Sequence, residues 1–123
     1  MKKTIILVDD NKDLTFSIKE SLESVDPELK IIRTHSGDEC LKKINKIKPD
    51  VFILDIMMPK MNGWELSLKI KGDPRVNDVP IVFLTAIEDA NCKRFGLTLG
   101  VDYIMKPFNT KELYKVIANA IKK

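Results

Sequence analysis

The stretch Val51-Phe52-Ile53-Leu54-Asp55-Ile56-Met57-Met58-Pro59-Lys60-Met61-Asn62-Gly63 decides the fold. Its opening run of apolar residues reads as a strand buried on both faces, because a half-buried strand would alternate with polar positions. An aspartate closes the run, and Pro59, Asn62 and Gly63 bring turn chemistry just beyond it. Packing explains a carboxylate poorly at that spot. A parallel sheet explains it well, since a residue ending a buried strand is lifted to the rim where open α/β folds bind their ligands.

The rest of the chain repeats the theme. Thr4 to Val8, Leu29 to Thr34, Pro80 to Leu84 and Asp102 to Met105 are further short strand-like runs. Amphipathic stretches separate them. Leu14, Ile18, Leu22 and Val25 line one face of the first, and Leu41, Ile44 and Ile47 one face of the second. Trp64 to Lys71 is the third, stopping at Gly72-Asp73-Pro74, and Glu88 to Leu99, interrupted by Gly96, is the fourth. The last carries Leu113, Val116, Ile117, Ala120 and Ile121 at helical spacing. Ser36 with Glu39, and Asn109 with Glu112, have capping-box spacing ahead of the second and last helices. Strands alternating with helices through short connections predict an α/β fold, a (βα)5 doubly wound parallel five-stranded sheet with right-handed crossovers.

Composition bounds the function. At 123 residues the length suits a single domain, 1–123, with no output domain inside it. No apolar run approaches the ~20 residues of a membrane span. Met1-Lys2-Lys3 is followed by an apolar run too short for a signal peptide, so the expected location is cytoplasmic. The net charge of +3 comes from lysines scattered between apolar helix positions, without interleaved aromatics, which argues against direct nucleic-acid binding and for a solvated face. Cys40 and Cys92 have no Cys-x-x-Cys spacing and read as free thiols, and the lone His35 reads as a surface residue with no metal-ligand partner.

The polar residues left unexplained all fall at carboxyl ends of strands: Asp9 and Asp10 after the first, Asp55 after the third, Thr85 after the fourth and Lys106 after the fifth. In a parallel sheet these ends share one edge, so the residues converge. Two carboxylates about 4 Å apart repel by roughly 4 kcal/mol at an effective dielectric near 20, and three of them call for a cation. Hard oxygen ligands without imidazole or thiolate suit Mg²⁺. With Lys106 as a second positive charge and Thr85 as a hydroxyl donor, the site is built for an oxyanion. In-line phosphoryl transfer to Asp55 is the chemistry that follows.

These residues resemble a known pattern. From about Lys3 to Lys122 the chain resembles the receiver domain of two-component response regulators, the CheY-like family. The motifs are Asp9-Asp10 after an apolar strand, the run from Asp55 to Gly63, Thr85-Ala86, and Lys106-Pro107-Phe108. The resemblance implies strand order 2-1-3-4-5, with Asp55 as phosphoacceptor and Asp9, Asp10, Asp55 and the Met57 backbone carbonyl as ligands of Mg²⁺. It also implies that Thr85 and Lys106 contact the phosphoryl oxygens and that the Lys106-Pro107 bond is cis. Thr85 and Tyr103 would be the switch pair, altering the face built from the fourth helix, fifth strand and fifth helix. The implied partners are a sensor histidine kinase or histidine phosphotransfer protein, an output partner, and a second copy through that face. No membrane is implied. The protein would catalyse its own phosphorylation and dephosphorylation without turning over an external substrate.

Two features depart from the pattern. Gly100-Val101-Asp102-Tyr103 leaves the loop before the fifth strand one residue tighter, and Met57 and Ile87, two residues beyond Asp55 and Thr85, are apolar. Apolar side chains there give an attacking water no partner, so a slowly decaying phosphorylated state is expected. Two rival functions stand beside this one. An aspartate-nucleophile phosphatase of the haloacid-dehalogenase kind needs Asp-x-Asp where this chain has Asp55-Ile56-Met57, and a cap for which 123 residues leave no room. A phosphorylation-independent pseudo-receiver would be expected to lack some of the chemical positions, all of which are present.

Overall fold

The computed structural model describes residues 2–85 and 102–122. Five strands, β1 (Lys3–Val8), β2 (Leu29–Thr34), β3 (Val51–Asp55), β4 (Ile81–Thr85) and β5 (Asp102–Met105), form one sheet in the order β2-β1-β3-β4-β5. Every adjacent pair is parallel. Helices α1 (Lys12–Val25), α2 (Gly37–Ile44) and α3 (Gly63–Lys71) and a C-terminal helix (Thr110–Lys122) cover it. The helix expected over 88–99, with Cys92, Gly96 and Ile87 nearby, lies outside the described residues, as does the shortened loop up to Val101.

Strand alternation divides the core into two layers. Ile5, Leu7, Ile53, Val82 and Leu84 face α1 and the C-terminal helix, which contribute Ile18, Leu22, Leu113 and Ile117. Ile6, Val8, Phe52, Leu54 and Phe83 face α2 and α3, which contribute Cys40, Ile44, Leu66 and Ile70. Both faces of β3 are therefore apolar because both are covered, as its unbroken hydrophobic run requires.

Local chemistry sets the helix limits. Asn11 caps α1 by accepting from the Leu14 amide at 3.0 Å, and Ser36 caps α2 by accepting from Glu39 at 3.1 Å. The Glu39 carboxylate turns back to the amide of His35 instead of completing the box. Asn62 and Glu65 do complete one at α3, bonding reciprocally at 2.9 and 3.1 Å. Asn109 accepts from Glu112 at 2.8 Å ahead of the C-terminal helix.

Several sequence expectations shift by small amounts. β3 extends through Asp55 and β4 through Thr85, because the ladder continues to pair Asp55 with Leu84 and Thr85 with Met105. Val25 is exposed in the last turn of α1, and α2 ends at Ile44, so Ile47 packs from the following loop. His35 is no plain surface residue. Its Nε2 lies 3.1 Å from the hydroxyl of fully buried Thr15. Cys40 is fully buried, and burial pushes its thiol up to about 12, which leaves it an inert apolar residue. Among the described residues no helix is long and apolar enough to cross a membrane.

Candidate functional site

Each site residue sits where its strand ends. The Asp9 amide continues the β1–β2 ladder by donating to Thr34 at 3.2 Å, and its carboxylate accepts from the Asn11 amide at 3.0 Å. Asp9 is therefore buried at 1% exposure, while Asp10 beside it is exposed. Asp55 ends β3 at 4% exposure, and the Ile56 amide holds the backbone to Leu84 at 3.1 Å. Carboxylate oxygens of Asp9, Asp10 and Asp55 lie within 4.8 Å of one another.

Lys106 answers this negative charge. Its ammonium donates to Asp9 at 2.9 Å across a sequence separation of 97, and stands 3.5 Å from Asp55 Oδ1. The Lys106 amide donates to the Thr85 carbonyl at 2.6 Å, which ties the end of β5 to the end of β4, and the Lys106–Pro107 bond is cis. Thr85 is buried at 2%. Tyr103 pairs in register with Phe83 and packs, half-buried, against the layer that contains it.

The electrostatics follow from this geometry. Burial pushes the Asp55 carboxyl up to about 6; the Asp9 charge adds to the rise, and the Lys106 charge and a backbone hydrogen bond from Met57 oppose it. One ammonium among three carboxylates leaves the cluster short of positive charge. The donor set, three carboxylates with no imidazole or thiolate, suits a hard divalent cation and could hold a metal ion.

The turn after Asp55 is tightly built. A Cβ on Gly63 would sit 2.5 Å from the Asp55 carbonyl oxygen, so only glycine lets α3 begin this close to the strand end. The Gly63 amide donates to Ile56 at 2.9 Å, and Met57 is 60% exposed above the turn. On one flank a cleft of about 440 Å³ opens between α1 and the C-terminal helix, lined by Leu14, Ile18, Phe108, Leu113 and Lys106.

The structure thus brings together Asp9, Asp10, Asp55 and Lys106, with Thr85 on the neighbouring strand end and Tyr103 one turn of the pleat below. Sequence reasoning missed the Asn62–Glu65 box, although its spacing is visible, and missed Gly37, which packs against Met61 from another element.

Comparison with known proteins gives this cluster its context. A family model described as the response regulator receiver domain matches residues 5–118. The chain belongs to that family. The probable transcriptional regulator ycf27 of Guillardia theta is 37% identical over 91% of this chain and 42% of its own length. Histidine kinase P4 of Formosa agariphila is 38% identical over 98% of this chain and 9% of its own. The receiver thus spans less than half the length of either relative. A putative response regulator from Chloroflexus aurantiacus J-10-fl matches in structure with a TM-score of 0.91 and 30% identity, covering 100% of both chains. The CheY-like order 2-1-3-4-5 is the order this receiver's sheet adopts.

Proposed function

We propose that this receiver is a phosphorylation-controlled switch whose acceptor is Asp55. An Asp55 oxygen attacks the phosphorus of a phosphohistidine on a sensor histidine kinase or phosphotransfer protein. The new O–P bond forms as the N–P bond breaks, and the imidazole leaves with the electron pair and takes up a proton from solvent. Asp9, Asp10, Asp55 and the Met57 carbonyl would hold Mg²⁺, which supplies charge neutralisation at the transferring oxygens. Lys106 gives up its bond to Asp9 and donates to a phosphoryl oxygen, and the Thr85 hydroxyl donates to another. The protein promotes transfer to and loss from its own side chain and turns over no external substrate.

The observation that carries this reading is the clustering of Asp9, Asp10 and Asp55 within 4.8 Å beside the Lys106 ammonium. The switch would run through Thr85, drawn toward the phosphoryl group, and Tyr103, packing deeper beside Phe83. Among the described residues the affected face would comprise β5 and the C-terminal helix, and a second copy of the chain or an output domain would read it. We place this action in the cytoplasm, where kinase and phosphodonor meet.

The test is labelling with acetyl phosphate. Mass should rise by one phosphoryl group in Mg²⁺ and not in excess EDTA, and Asp55→Asn should take up none. Full labelling without divalent cation would overturn the metal assignment, and no labelling of the wild type under any condition would favour the pseudo-receiver. Steady turnover of a small phosphate ester would favour the phosphatase.

A further inference from the structure

Gly37 opens α2 and is buried, yet its φ lies outside the left-handed region, so the backbone does not ask for glycine. Glycine is also among the poorest helix formers. Space accounts for it. A Cβ at Gly37 would lie 2.5 Å from Met61 Sδ, 3.2 Å from its Cγ and 3.3 Å from its Cβ. The methionine side chain fills the notch that the missing Cβ leaves.

Met61 belongs to the loop 56–62 that leads from Asp55 to α3. Both ends of that loop are fixed, one by the Gly63 amide on Ile56 and the other by the Asn62–Glu65 box. Its middle is strained. Lys60 has φ 68°, and the Met61 amide donates to the Pro59 carbonyl at 2.8 Å, closing a three-residue γ-turn. Such a conformation persists only where surroundings over-determine it. Met57, Pro59 and Lys60 are exposed and give no such support. Met61 does, because α2 is itself anchored by Cys40 and Ile44, buried in the same apolar layer that Met58 and Met61 pack against.

We infer that the Met61–Gly37 contact is a latch that holds the strained loop, and with it the backbone of Met57, in register with the Asp9–Asp10–Asp55 cluster. Gly37 is a positioning residue: it touches neither phosphoryl group nor cation and acts through Met61. The inference rests on the phosphoacceptor reading, in which the Met57 carbonyl is a cation ligand.

A double-mutant cycle tests it, with Mg²⁺ affinity measured by calorimetry, the phosphorylation rate with acetyl phosphate, and melting temperature. Gly37→Ala should weaken Mg²⁺ binding about 10-fold, the scale on which residues supporting a ligand act, and slow phosphorylation with it. Met61→Ala should also weaken binding, and adding Gly37→Ala in that background should change little more, since the clashes with Sδ and Cγ are gone. Wild-type affinity in Gly37→Ala, or an equal further loss in the Met61→Ala background, would overturn the latch. Should Gly37→Ala fail to fold, Met61→Ala decides alone: weakened binding supports the latch and unchanged binding overturns it. A wild type that binds no Mg²⁺ would instead bring down the phosphoacceptor reading, and the latch with it.

Discussion

Asp55 is a buried carboxylic acid, and burial opposes its ionisation. Its carboxyl is raised from the ordinary 3.8 to about 6, first by burial and then by Asp9. A folded-state value above the unfolded one means that the group's stabilising contribution is complete below pH 3.8 and is lost as pH rises through about 6. At pH 7.5 without metal, ionised Asp55 therefore costs the fold on the order of 2–3 kcal/mol. Asp55→Asn should melt several degrees above wild type at pH 7.5, and the gap should close toward pH 4. A gap independent of pH would show that the gain comes from something other than ionisation. Met57 acts at the same scale. Its exposed apolar side chain offers an attacking water nothing to bond, so Met57→Asn should shorten the life of the phosphorylated state by about tenfold, one hydrogen bond's worth. An unchanged decay rate, followed by release of phosphate, would contradict this. The acids, Thr85 and Lys106 were legible in the sequence because polar residues closing apolar strands have no packing explanation. Which of Asp9 and Asp10 is buried was not legible, since that depends on the way the chain turns from β1 into the Asn11 cap.

At the scale of elements, β2 is one edge of the sheet, and α1 guards it. The Ile31 amide donates to Glu23 at 2.9 Å, and the Ile31 carbonyl accepts from Lys19 at 2.9 Å. Lys19 and Glu23 pair with each other at 2.9 Å. Burial opposes ionisation of Glu23, but the Ile31 amide and Lys19 outweigh it and hold the carboxyl below its usual range. Two side chains thus occupy backbone groups that another strand could otherwise engage. Glu23→Ala should speed hydrogen exchange at the Ile31 amide and, combined with Lys19→Ala, should promote self-association with rising concentration. Unaltered Ile31 protection and a strictly monomeric double variant would refute the guard. The strands and helices themselves were readable from periodicity, and the parallel arrangement from strands apolar on both faces that alternate with helices. The guard was not, because a Lys-x-x-x-Glu pair on a helix looks like any solvated i,i+4 pair until the sheet edge is seen beneath it.

For the whole molecule, the consequence of five parallel strands is convergence. Asp9 and Lys106 meet at 2.9 Å from nearly opposite ends of the chain because β1 and β5 deliver their carboxyl ends to the same rim. That convergence could be anticipated from the sequence, since every unexplained polar residue lay at the same end of its strand. The Gly37–Met61 contact could not, as it depends on how α2 and the loop after Asp55 meet in space. The account turns on which carboxylate is modified. After phosphorylation with acetyl phosphate and Mg²⁺, borohydride reduction of the acyl phosphate and peptide sequencing by mass spectrometry should find the reduced residue at Asp55 alone. Reduction at Asp9 or Asp10, or a phosphoryl group resistant to borohydride on a hydroxyl or imidazole, would contradict the assignment of this site.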